Sequence, residues 1–324
     1  MKKIICAIIA LVMLTGILAG CGNDDGKKDG ISIVTTVFPV YDWVEELLGD
    51  KAEDAELTML LDDGVDLHNY QPTTDDIIKI GACDLFIYVG GESDSWVEDV
   101  LKNSTNESRI VINLMDEMEE MLEAAISHHE EEAGEESDHG HDHEHELDEH
   151  IWLSLRNAAE ACRIIADGLS RADEANKDTY SQNLTAYTEK LNSLDARYSE
   201  AVENAKNKTV VFTDRFPFIY LCHDYGIEYY AAFDGCSTET AATPEVIAGL
   251  ANKIDELSLG YVMNIDGSEL MDFTNTVIGA TTAKNAKIVS VNSLQAVTAA
   301  DVADGVDYLS VMESNLASFT EALN

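Results

Sequence analysis

From residue 31 onward, short runs of β-branched and aliphatic residues take turns with stretches whose apolar positions recur every three or four residues. Ile31–Val37, Glu56–Leu61, Asp84–Val89 and Arg109–Asn113 are runs of the first kind, and such runs bounded by turn residues predict buried strands. Helical spacing follows Pro39 as far as Leu48, and it returns near Asp75–Gly81 and at 94–102. Thr73 or Thr74 is placed to cap the second of these helices. The scheme begins again after residue 208. Strands are expected at Thr209–Phe212, Glu228–Ala232, Gly260–Asn264 and Lys287–Val291, with helices at 216–225, Pro244–Leu257, 268–279 and 301–322. Strand alternating with helix at this spacing predicts parallel sheets of βα units.

Between the two halves the pattern is purely helical. Ile151–Ser170 is one segment and 174–206 a longer one. In the longer segment Tyr180, Leu184, Tyr187, Leu191, Leu194, Tyr198 and Val202 step by 4, 3, 4, 3, 4 and 4, with no Pro or Gly among them. That is a single apolar stripe over many turns, and aromatic residues at this spacing belong to a core. The expected architecture is α/β: two lobes, each with a central mainly parallel sheet flanked by helices, joined by one long rigid backbone helix. The N-terminal lobe takes residues 31–170, the linking helix 171–207 and the C-terminal lobe 208–324.

Two segments fall outside the alternation. Residues 1–20 have a basic start and an apolar run from Ile4 to Leu14, the layout of a secretion signal. It ends Leu18-Ala19-Gly20-Cys21, which resembles the bacterial lipobox and predicts a lipid anchor at Cys21, followed by a tether over 21–30. The other segment spans 116–149. From Asp116 to His150 there are sixteen Asp or Glu and no Lys or Arg, and residues 128–150 hold seven of the nine histidines. Such a stretch buries too little apolar surface to offset its ordering entropy, so a disordered loop is expected there. Its imidazoles and carboxylates together suit zinc or a close neighbour, and His139, His141, His143 and His145 are candidate accessory metal ligands.

A formal charge of −42 argues against nucleic acid or anionic lipid as a partner and favours cations. Beyond Cys6 and Cys21 the cysteines are Cys83, Cys162, Cys222 and Cys236, without a CxxC pair, and Cys222 with Cys236 is the candidate disulfide. No GxGxxG or Walker sequence marks a nucleotide site. HELDEH at 145–150 places its second histidine five residues after the first, where the metalloprotease motif needs four, and no GxSxG is present. An enzyme is not expected.

His68 lies in a loop after a strand and before a helix, where open α/β sheets bind ligands. His150 stands where the acidic tract gives way to the apolar Ile151-Trp152-Leu153. Around these two residues the sequence resembles the solute-binding lipoproteins of zinc and manganese ABC importers. GVDLHNYQPTTDD is similar to their Gly-x-Asp-x-His-x-Tyr/Phe-x-Pro-Thr-x-x-Asp signature. DEHIWL is similar to their Asp-Pro-His-x-Trp-Leu, with Glu149 in place of proline.

The resemblance implies two lobes joined by a backbone helix and a metal in the cleft, with His68 and His150 as the N-terminal lobe's ligands. It also implies two ligands from the C-terminal lobe, and there the sequence departs. Thr213 aligns with the third ligand position and Asn292 with the fourth. Either Glu239, Asp214 or a loop histidine such as His143 or His145 is then expected to assist, or the site is open and waters complete the coordination with a weaker hold on the metal. The function implied is an extracellular receptor that captures Zn²⁺ and delivers it to an ABC permease, monomeric and held to the membrane by lipid. A manganese receptor and a metal-buffering or adhesive surface lipoprotein are the alternatives.

Overall fold

The computed structural model describes residues 30–102, 106–132, 147–235 and 242–324. In the first half, β1 (Ser32–Thr35), β2 (Glu56–Met59), β3 (Leu85–Tyr88) and β4 (Ile110–Asn113) form a parallel four-stranded sheet in the order β2-β1-β3-β4. Helices α1 (Phe38–Leu48), α2 (Thr74–Ala82) and α3 (Val97–Lys102) connect the strands. Ile33, Val34, Leu85, Phe86 and Ile87 are all buried, as a parallel sheet covered on both faces requires. Thr73 is the cap of α2: its hydroxyl accepts from the Asp76 N–H, and the Asp76 carboxylate accepts from the Thr73 N–H. This reciprocal box satisfies donors that the helix start leaves orphaned.

After β4 the structure corrects one expectation. Residues Leu114–Glu132 form a helix, α4, where a disordered acidic loop was expected from Asp116. The high negative charge hides an amphipathic pattern. Leu114, Met115, Met118 and Leu122 recur at helical spacing and are buried, while Asp116, Glu117, Glu119, Glu120 and Glu123 face outward. His139, His141, His143 and His145 lie outside the described residues, as do Cys21, Cys236 and Glu239.

A 3₁₀ turn at Ile151–Leu153 leads into α5 (Leu155–Ala172) and then α6 (Lys177–Glu203). With 27 residues, α6 is about 40 Å long at 1.5 Å per residue. Tyr180, Tyr187, Leu191, Leu194, Tyr198 and Val202 of the predicted stripe are buried, and Leu184 packs half-buried beside them. Tyr187 Oη donates to Asp42 in α1 (3.3 Å), whereas Tyr198 Oη donates to the carbonyl of Met312 in the second half (2.6 Å). One helix face therefore serves both lobes.

The second sheet repeats the order of the first. β5 (Thr209–Phe216), β6 (Glu228–Asp234), β7 (Tyr261–Ile265) and β8 (Lys287–Val291) lie parallel as β6-β5-β7-β8. Helices α7 (Ile219–Tyr225), α8 (Pro244–Leu257), α9 (Met271–Ala280), α10 (Ala299–Ala303) and α11 (Tyr308–Ala322) complete the lobe. The single helix expected at 301–322 is two, because the chain breaks at Gly305 (φ +92°) and restarts with Asp307 capping the Ser310 N–H. β5 continues past Phe212 through a bulge between Phe212 and Arg215. Cys222 is a buried free thiol, and Cys236, its candidate disulfide partner, lies outside the described residues. Burial also pushes the free Cys83 thiol up to about 12.

One apolar core runs through both halves, from Ile33 and Trp43 by way of α5 and α6 to Phe212, Tyr308 and Phe319. Trp43 and Tyr308 meet edge to face across the junction, ring centroids 5.3 Å apart. A smaller cluster of Val211, Leu250, Ile254, Leu259, Val262 and Val277 sits under the outer helices α8 and α9.

Candidate metal centre

Both predicted histidines arrive at the junction of the lobes on short, hydrogen-bonded turns. His68 is in the 3₁₀ turn Leu67–Asn69, whose start is fixed by the Asp66 carboxylate accepting from the His68 N–H (3.0 Å). His150 precedes the Ile151–Leu153 turn, and Asp148 Oδ1 accepts from its backbone N–H (2.8 Å). The two imidazole centroids lie 5.5 Å apart with the rings inclined at 63°. Trp152 packs its edge against His150 at 5.2 Å, and the His150 side chain is fully buried.

The second half of the chain holds this segment in place. Tyr220 Oη in α7 donates to the Asp148 carbonyl (2.8 Å), and Tyr308 Oη in α11 donates to the Trp152 carbonyl (2.6 Å). Trp152 Nε1 in turn donates to the Ser293 carbonyl (2.9 Å).

Each imidazole has a carboxylate behind it. His68 Nδ1 is 2.9 Å from Glu149 Oε1 and 2.8 Å from Ser93 Oγ, and His150 Nδ1 is 2.8 Å from Asp148 Oδ1. An ionised carboxylate only accepts, so these partners assign the proton of each neutral imidazole to Nδ1 and leave both Nε2 atoms as acceptors. Carboxylate–histidine pairs of this kind orient metal-binding imidazoles and raise their basicity. Burial alone lowers the His68 pKa, but the hydrogen bond and charge of Glu149, with Asp66, outweigh it and leave it raised. Burial works the other way on Glu149, yet hydrogen bonds from His68 and from the Ser93 hydroxyl and N–H hold its carboxyl below the usual range.

Glu149 occupies the position where the resembled motif has proline, and its buried carboxylate supports His68 rather than its sequence neighbour His150. In the sequence Glu149 stood out only as a departure from the motif, with no role given to it; an acid flanking a candidate ligand at the edge of an apolar run was the signal available. A second contributor was not anticipated. Gln295, in the loop after β8, places its amide nitrogen 2.7 Å from His150 Nε2 and 3.3 Å from His68 Nε2.

The other candidates go elsewhere. Thr213 is completely buried, with its hydroxyl bonded to the Met263 carbonyl and to Thr274. Asp214 is spent on the bulge, accepting from the Arg215 N–H (2.8 Å) and the Ile265 N–H (3.3 Å). That bulge re-aims the next side chain, a common consequence of an inserted residue. Arg215 reaches across the junction to Asp66, Nη1 to Oδ2, at 3.0 Å. Asn292 Oδ1 accepts from the Leu294 N–H (2.7 Å), and its backbone is bonded at both ends by Asn315. Glu239 lies outside the described residues, but the chain leading to it passes close by. A Cβ on Gly235 would come within 2.9 Å of Asp148 Oδ2 and 3.3 Å of His150 Cε1.

Among the described residues no group of three or more His, Cys, Asp or Glu is gathered for a metal. The donor set they do present is two imidazole nitrogens and one carboxamide. Paired imidazoles directed at one point fit a borderline divalent cation such as zinc, and two carboxylates stand behind them to offset its charge.

Fold and site together define a two-lobed α/β binding protein with a paired-histidine site at the lobe junction. The chain belongs to the family described as zinc-uptake complex component A, periplasmic (ZnuA), whose profile matches residues 33–322. It is 31% identical over 324 residues to the zinc-binding lipoprotein AdcA of Streptococcus pneumoniae R6, covering 99% of this chain and 61% of that protein. The chain thus spans about three fifths of the length of this relative. It is 28% identical over 322 residues to the high-affinity zinc uptake system protein ZnuA of Bacillus subtilis 168, covering 99% and 96% of the two chains. Among solved structures, the Zn(II)-bound ZnuA-like domain of S. pneumoniae AdcA superimposes with a TM-score of 0.69 at 28% identity, covering 90% of this chain and 98% of that one.

Proposed function

We propose that this chain is an extracellular receptor that captures Zn²⁺ between its lobes and delivers it to an ABC permease. The observation that carries this reading is the pair His68 and His150, each backed by a carboxylate at Nδ1, with both Nε2 atoms turned toward one point. Work of this kind is selective binding, with no bond made or broken. The family and the names of the relatives support zinc as the cargo, and paired imidazoles suit zinc better than manganese, which favours oxygen-rich shells.

In this reading His68 and His150 are two ligands, and Glu239 or a histidine of the 133–146 segment adds a further donor. His139, His141, His143 and His145 collect metal near the mouth of the site, and Cys21 carries the lipid anchor of a monomeric protein. Zinc titration of the full chain against a competing chelator tests the proposal. His68→Ala and His150→Ala should each remove one tight equivalent while leaving the weak sites of the His-rich segment. Tight binding that survives both substitutions overturns it.

A further inference from the structure

Gln295 is the one C-terminal-lobe side chain among the described residues that hydrogen-bonds both imidazoles, and its chemistry is matched to them. Two acceptor lone pairs need two donated hydrogens, and a carboxamide NH₂ carries two. At 2.7 Å and 3.3 Å from the two Nε2 atoms, the nitrogen stands where a cation bound by both rings would have to sit. Zinc binds imidazole at about 2.0–2.1 Å, so metal and amide nitrogen exclude one another from that point. We propose that Gln295 is both the cover of this site and a metal donor from the C-terminal lobe: its amide draws back from that point to admit the cation and makes a half-turn, so that Oε1 rather than nitrogen faces the captured ion and coordinates it. This rests on the zinc-receptor reading and adds to it the residue that sets how fast and how firmly metal is held.

The loop geometry holds Gln295 to this place. Leu294 has φ +63°, the left-handed region that non-glycine residues seldom occupy, while its side chain is completely buried. A strained residue persists when its surroundings over-determine it. Here Asn292 Oδ1 accepts from the Leu294 N–H, and Asn315 grips the Asn292 N–H and carbonyl at 2.8 Å each. The Trp152 indole adds a bond to the Ser293 carbonyl. The left-handed turn at Leu294 carries the chain so that Gln295, and not Asn292, meets the histidines.

The half-turn itself is inexpensive. The last torsion of a glutamine is broad and roughly two-fold, so the oxygen and nitrogen exchange places at little cost, and the stem torsions have only to draw the amide back far enough to admit the cation. Facing two imidazole lone pairs, NH₂ is the favoured end; facing a dication, the carbonyl oxygen is. A neutral oxygen donor holds zinc less firmly than a carboxylate or a third imidazole would, which suits a carrier that must give its cargo up.

The test is zinc binding by the full chain, measured at equilibrium against a chelator and by stopped flow, for wild type, Gln295→Ala and Gln295→Glu. Gln295→Ala should bind zinc more weakly, by no less than the roughly tenfold that loss of an outer partner costs, yet associate faster because the cover is gone. Gln295→Glu should bind more tightly. In metal-free protein, imidazole ¹⁵N resonances of His68 and His150 should move in Gln295→Ala, and the wild-type Gln295 side-chain NH₂ signals should shift when zinc is added. If both variants keep wild-type affinity and association rate while His68→Ala loses the tight site, the assignment of Gln295 is overturned and the receptor reading stands. If His68→Ala and His150→Ala keep the tight site as well, both are overturned.

Discussion

Tyr308 donates its hydroxyl hydrogen to the Trp152 carbonyl over 2.6 Å, tying the first turn of α11 to the residue two places after His150. The bond is buried and joins the last helix of one lobe to the segment of the other that carries His150. Tyr308→Phe leaves the ring in place and a buried carbonyl without its donor, a change that costs about 1–3 kcal/mol. Denaturant unfolding should show that loss, and zinc affinity should fall with it because the His150 turn loosens.

In the proposed site Glu149 would act on the metal through His68. Glu149→Gln keeps the size of the side chain and removes the charge that fixes the imidazole proton on Nδ1. Losing an outer partner of this kind lowers metal affinity about 10- to 100-fold, and chelator competition should read a value in that range. Asp148→Asn should do the same through His150.

Gly235 allows β6 to pass beside the site. Its added Cβ would meet the Phe216 carbonyl at 3.0 Å as well as Asp148 and His150, and backbone has little room to yield. Gly235→Ala should therefore displace the His150 imidazole and weaken zinc binding, with only a small change in the unfolding midpoint.

Asp42 gives the fold a pH dependence. Burial pushes its carboxyl up to about 7; the Tyr308 N–H opposes this, and Asp307, Glu46 and Glu45 add to it. An unfolded aspartate ionises near 3.9, so between about pH 4 and pH 7 the folded chain keeps a proton that the unfolded chain has released. The resulting stability is fully present below the unfolded value and is lost as pH rises through 7. Asp94, raised to about 7 mainly by burial, and Asp224, raised to about 6 by burial, act in the same direction. Denaturation midpoints should fall from pH 5 to pH 8 in the wild type and fall less steeply in Asp42→Asn.

The strands and the long helix were legible because their apolar periods are strong. His68 and His150 were legible because local motif and local structure coincide: each is set by an aspartate two residues earlier. Gln295 was not. Its position depends on a left-handed leucine and on Asn315, which grips Asn292 from 23 residues further along the chain, and neither leaves a mark in the loop's own pattern. The resemblance placed Asn292 at the fourth ligand position as a substituted residue, but alignment fixes only a position along the chain, whereas the direction of a side chain is decided by the turn that follows it. The helix at 114–132 was obscured by its composition, since four buried apolar residues sufficed to order a segment dominated by acids.

The apolar core that runs without interruption from Trp43 to Phe319 has a consequence for cooperativity. Two separate sheets suggest two modules, each able to melt alone. Here Tyr187 and Tyr198 of one helix are packed into opposite lobes, so a cut anywhere in α6 would leave each fragment with an open hydrophobic face. The chain should unfold in one transition, and neither lobe should be portable as a graft onto another protein.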